Sequence, residues 1–201
     1  MNFDIDHLSG LAESALDAGI SAYDAVAAGM AEGMKVVGQK YQQGEFFLAD
    51  LLLAAETFKE GMRILGPHLK PVEKSPHGRV VIGTVEGDLH DIGKNLVKYM
   101  LDAAGFEVDD LGVDVQAIRF VGKARAFSAD VIALSALIST SIPRMKEAVE
   151  TIRESELPVK TIVGGATLSW EIARSLGADG YGKDAVEGVN ICSLWAESFK
   201  R

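Results

Sequence analysis

From Arg79 onward the chain changes its period. Five short β-rich runs follow one another: RVVIGTV, FEVDDLGV, VIALSAL, VKTIVGGA and the stretch around residues 179–181. Segments of helical periodicity separate them, over residues 94–105, 115–127, 141–154, 169–177 and from residue 184 to the end. Continuous apolar runs suit strands buried on both faces, and strands that alternate with helices return to the same end of a sheet. The pattern predicts an α/β unit, a flavodoxin-like doubly wound sheet of five parallel strands.

Upstream the periodicity is helical throughout. Residues 4–18 are weakly amphipathic. Ser21 is placed to cap a longer helix ending near Gln42, with Val26, Met30, Met34, Val37 and Tyr41 on one face. A further helix is expected over residues 48–65, carrying Leu48, Leu51, Leu52, Ala55, Phe58, Met62 and Leu65 on one side until Gly66-Pro67 stops it. The prolines and charges of KPVEKSPHG, residues 70–78, mark a boundary. We therefore expect a helical bundle over residues 1–72 and the α/β domain over residues 73–201.

Charge and composition narrow the function. A net charge of −9 leaves no basic footprint for nucleic acid. No apolar run reaches the length of a bilayer crossing, so no membrane partner is expected. The opening MNFDIDHLSG does not read as a secretory leader, and a lone cysteine, Cys192, fits a reducing compartment. A cytoplasmic location is expected.

Ligands of such sheets sit at the carboxyl ends of the strands. After the first strand come Gly87, Asp88, Leu89, His90, Asp91, Ile92 and Gly93. After the third come Ser135, Leu137, Ser139, Thr140 and Ser141, and after the fourth Gly164, Gly165 and Ala166. Two residues apart in an extended turn, Asp88 and His90 can point the same way. Asp88 would then take the proton of one imidazole nitrogen and leave the other free for a metal. No second His or Cys in these loops completes a zinc site. One histidine backed by a carboxylate suits a metal whose other positions a macrocycle fills. Against this stand the ordinary uses of such residues: a lone loop histidine is usually structural, Asp91 could simply cap the next helix, and paired glycines are common in tight turns.

Taken together the residues resemble the cobalamin-binding module of corrinoid methyl-carrier proteins. That pattern is Asp-x-His-x-x-Gly, then Ser-x-Leu, then Gly-Gly, matched by Asp88, His90 and Gly93, by Ser135 and Leu137, and by Gly164 and Gly165. The helical segment is similar to the cap of methionine synthase-like and methanogen-type carriers. The resemblance implies a cobalamin or related corrinoid bound base-off and His-on. His90 would be the lower cobalt ligand, Asp88 would hold the imidazole, and Ser141 would hold Asp88 in a His-Asp-Ser relay. Ser135, Leu137, Ser139 and Thr140 would line the slot for the displaced nucleotide tail. Gly164, Gly165 and Ala166 would let the tail pass close to backbone, and Tyr181, Gly182, Asp184 and Ala185 would close the far wall. Tyr41 and Leu48, with Leu51 nearby, would cover the upper corrin face, although periodicity alone makes them bundle core. The implied partners are a substrate-loading methyltransferase, an acceptor methyltransferase and a reductive activase; the chain itself would be a carrier subunit. A cobalamin-binding sensor acting through a partner is the main alternative. A detached mutase domain lacks its barrel here, and an FMN flavodoxin leaves the Asp-x-His pair unexplained.

Overall fold

The computed structural model describes residues 5–69 and 78–199. The chain divides into two compact units, Met1–Lys70 and Pro71–Arg201. In the first, α1 (Ile5–Asp17) is followed by the short α2 (Ala22–Asp24), a π-helical stretch (Ala25–Met30), α3 (Ala31–Gln42), α4 (Leu48–Leu65) and a 3-10 turn at Gly66–His68. Ser21 does cap: its Oγ accepts the amide of Asp24 at 3.0 Å. The expected single helix to Gln42 is broken by the π stretch. Apolar steps of four tolerate an inserted residue, so the periodicity could not show it. Met30 packs over Gly61 of α4, where an added Cβ would lie 2.8 Å from its sulfur. Val26, Val37, Ala54, Phe58, Met62 and Leu65 are buried in this unit.

The second unit is the expected sheet. Strands β1 (Arg79–Thr84), β2 (Glu107–Asp110), β3 (Val131–Ser135), β4 (Lys160–Gly164) and β5 (Gly180–Gly182) alternate with α5 (Ile92–Ala103), α6 (Ala117–Phe127), α7 (Ile142–Glu154), α8 (Trp170–Leu176) and α9 (Ala185–Ala196). All pairings are parallel, in the order β2-β1-β3-β4-β5. That order is flavodoxin-like and puts a topological switch point between β1 and β3. Val80, Val81, Ile82, Val131, Ile132 and Val163 are almost wholly buried, as strands covered on both faces must be. Phe120 of α6 closes over Gly83, where a Cβ would lie 2.8 Å from the ring.

Some boundaries move. Helix α6 begins at Ala117 rather than at residue 115, because Val115 forms an isolated parallel bridge with Val85 and is fully buried. Helix α5 starts at Ile92, two residues before Lys94, so Gly93 and Lys94 belong to its first turn.

Candidate functional site

The switch point brings the loop after β1 against the loop after β3. Asp88 is fully buried, and both carboxylate oxygens are taken. Its Oδ1 accepts the His90 backbone amide at 3.0 Å and lies 2.7 Å from the His90 ring Nδ1. Its Oδ2 accepts the amides of Leu137 at 2.7 Å and Ile138 at 3.2 Å. Burial alone would push the carboxyl up; the hydrogen bonds from His90, Leu137 and Ile138 outweigh it and hold Asp88 below the usual carboxylate range. An ionised carboxylate has no proton to give, so Nδ1 carries the hydrogen in this contact, and the tautomer it selects for the neutral ring has its lone pair on Nε2. The His90 side chain is 52% exposed while Asp88 behind it is sealed. A metal reaching Nε2 would find the tautomer and ring orientation already set.

Further ties hold the loop. Thr84, at the end of β1 and fully buried, donates its hydroxyl to the His90 carbonyl at 2.9 Å. Gly87 turns with a φ of 80°, and its amide is taken by Asp114 Oδ1 at 2.8 Å. Asp91 occupies the cap position of α5, but its carboxylate makes no cap bond; it accepts the Asn95 side-chain amide at 3.1 Å instead. Lys94, only 2% exposed, runs inward to Asp110 Oδ2 at 2.6 Å and Asn95 Oδ1 at 2.7 Å, bolting the first turn of α5 to the end of β2. Sequence reasoning missed Thr84, Lys94, Asp110 and Asp114. The one available signal for Thr84 was a threonine closing an apolar strand run; nothing in the sequence paired Lys94 with Asp110.

The loops after β3, β4 and β5 come out less uniformly. Leu137, Ser139, Thr140 and Ala166 are exposed, whereas Ser135, Gly164, Gly165 and Tyr181 are half-buried. Ser141 does not hold Asp88. Its Oγ is buried with no hydrogen-bond partner among the described residues, because two backbone amides already fill Asp88 Oδ2. Gly165 is needed for the protein's own packing: at φ 135° a Cβ would overlap the Ala136 carbonyl oxygen. A Cβ on Gly164 would sit 3.1 Å from the Gly182 carbonyl oxygen, and one on Gly182 would lie 2.9 Å from Gly188. Asp184 caps α9 through Glu187, with Ala185 buried behind it. The Tyr181 hydroxyl donates to the Leu168 carbonyl at 2.8 Å. Tyr41, Leu48 and Leu51 lie on α3 and α4; their side chains fall outside the described set.

Several observations fit a metal-bearing macrocycle with a polar appendage. Among the described residues no group of three His, Cys, Asp or Glu side chains could hold a bare ion, so His90 offers one ligand bond only. In the same loop, a Cβ built on Gly87 or Gly93 would meet open space. Two buried hydroxyls, Ser141 Oγ after β3 and Thr167 Oγ1 after β4, have no hydrogen-bond partner among the described residues. Such orphans call for polar atoms from outside the chain.

Comparison with known proteins agrees with that chemistry. Residues 78–190 match the B12 binding domain family, and residues 1–65 match a second family also described as a B12 binding domain. A corrinoid protein of Desulfitobacterium hafniense is 40% identical over 195 residues, spanning 94% of this chain and 90% of the relative. The structure of the Methanosarcina barkeri monomethylamine corrinoid protein superposes with a TM-score of 0.84 at 33% identity, covering 96% of this chain and 92% of that one. The methanol:cobalamin methyltransferase complex of the same organism matches with a TM-score of 0.59 at 27% identity, over 98% of this chain and 76% of the matched chain.

Proposed function

This chain belongs to the B12 binding domain family, and on that premise we propose that it is a corrinoid protein carrying a methyl group between two methyltransferases. The chemistry a corrinoid supplies is methyl transfer at cobalt. The chain's own residues set the geometry beneath it. His90 would hold the cobalt through Nε2. Asp88 fixes the ring by taking its other nitrogen. The hydroxyls of Ser141 and Thr167, buried after β3 and β4 without a partner among the described residues, would be available to the cofactor's polar tail.

One observation carries this reading: a sealed, ionised Asp88 that commits Nδ1 and leaves Nε2 of a half-exposed His90 open at the switch point. The solved relative named as a methyltransferase complex supports methyltransferases as partners. We assign one to loading the methyl group and another to accepting it, and a reductive activase would complete the set of partners. A cytoplasmic setting is part of the reading, since Cys192 is a free thiol.

The test begins with the purified full-length protein and cob(II)alamin. Binding, one-electron chemical reduction to cob(I)alamin, methylation by an added methyl donor, and acceptor-dependent loss of that methyl group in the visible spectrum establish the carrier. Asp88→Ala should weaken the axial bond by about 10- to 100-fold, and His90→Ala should remove it. A corrinoid that binds but never exchanges a methyl group with any methyltransferase would count for a sensor. Failure to bind any corrinoid would overturn the reading.

A further inference from the structure

We infer that Thr84 is a positioning residue for His90, setting through its hydroxyl the orientation in which Nε2 is offered. This deepens the reading of His90 as a metal ligand and rests on it. A hydroxyl buried at the end of an apolar strand is costly unless it is hydrogen-bonded. The Thr84 hydroxyl makes its bond to the carbonyl of His90, 2.9 Å away.

Thr84 is itself held on both sides. Its amide donates to Gly112 O at 2.9 Å, its carbonyl accepts from Val115 N at 3.0 Å, and it pairs in register with Ser135 of β3. Thr84 is therefore a post fixed from β3 on one side and the loop after β2 on the other. The two remaining ties to His90, from its amide and its Nδ1, converge on one atom, Asp88 Oδ1. Two bonds to one atom fix a distance and leave a hinge. The bond from Thr84 acts at the other end of the residue and removes that hinge. Three of the four polar groups of His90 are then committed, and the fourth is Nε2.

The experiment compares wild type, Thr84→Val and Thr84→Ser as full-length chains labelled with 15N-histidine. Ring-nitrogen NMR of the protein without corrinoid, at one fixed pH, reads the His90 tautomer; His90→Gln assigns its signals among the four histidines. Wild type should hold the Nδ1–H form. Thr84→Val, of equal size but with no donor, should lower the Nδ1–H to Nε2–H ratio by up to about fivefold, the ceiling set by the worth of one hydrogen bond. Thr84→Ser should stay near wild type.

The same proteins loaded with cob(II)alamin are then read by electron paramagnetic resonance. A 15N ligand splits each line into a doublet, whereas the cofactor's own 14N base gives a triplet. The doublet fraction should fall in Thr84→Val and return in Thr84→Ser. Should Thr84→Val lose its native circular dichroism, Thr84→Cys, with a far weaker donor, replaces it. Wild-type values in the variant without the donor, or a loss in Thr84→Ser equal to that in Thr84→Val, would overturn the role of the hydroxyl. A wild type without any doublet would instead sink the ligand assignment of His90, while the tautomer ratios still judge Thr84.

Discussion

Cys192 sits 1% exposed on α9, and burial pushes its thiol up to about 12. The ordinary value is 9.0, so the folded chain carries about a thousandfold less thiolate at pH 8 than the unfolded one. Alkylation by iodoacetamide at pH 8 should be nearly silent in the native protein and complete in denaturant; fast native labelling would contradict the burial. Linkage has a definite sign here. A thiol whose folded value is raised contributes stability below its unfolded value and loses that contribution as pH climbs from about 9 to about 12. Cys192→Ala should therefore lack this part of the alkaline loss in a urea titration. Glycines separate just as sharply. Gly165→Ala drives a Cβ into the Ala136 carbonyl at a φ few side chains adopt, and should cost about 3 kcal/mol or more, or prevent folding. Gly93→Ala, in the first turn of α5 with nothing within 4 Å, should stay within about 1 kcal/mol of wild type. Thermal melts of the two variants decide the contrast.

Among the elements, α5 is held in two different ways. Lys94, 2% exposed, pairs with Asp110, whose side chain is 21% exposed; Lys98 pairs with Asp102 one turn on, at 28% and 36%. Removing the lysine of the buried pair strands a charge, so Lys94→Met should cost about 3 kcal/mol. Lys98→Met should cost about 0.5 kcal/mol or less. Equal shifts of the urea midpoint would show that the buried pair is not special. The elements were also where the sequence could be read most easily and where it went silent. The three central strands, β1, β3 and β4, stood out as apolar runs, because a strand covered on both faces has few polar positions to spare; the edge strands β2 (Glu107–Asp110) and β5 (Gly180–Gly182) were legible only from the alternation with helices. Asp88 and His90 stood out because their spacing has a geometric meaning. Lys94 did not, since a lysine in an amphipathic helix looks solvated until a carboxylate from another strand meets it. The π stretch of residues 25–30 was hidden because one inserted residue barely disturbs a spacing of three or four. The surroundings of Ser141 were hidden for a related reason. A sequence shows a hydroxyl near a carboxylate, but not the two backbone amides that reach the carboxylate first.

At the scale of the molecule, the α/β unit closes its own core. Phe120, Val121, Met145, Val149 and Ile152 pack with Val81, Ile132 and Val163 from the sheet, all of them within that unit. A fragment of residues 78–201 should therefore fold alone, with native-like circular dichroism and one cooperative urea transition. A broad, non-cooperative transition would show that it depends on the first 77 residues. The fastening of Asp88 also bears on how such a molecule can diversify. Its Oδ2 is met by the main-chain amides of Leu137 and Ile138, and every amino acid but proline supplies the same N–H. The side chains at those two positions take no part in that fastening, so a substitution at either could reshape the crevice for a different guest without disturbing the footing of its histidine.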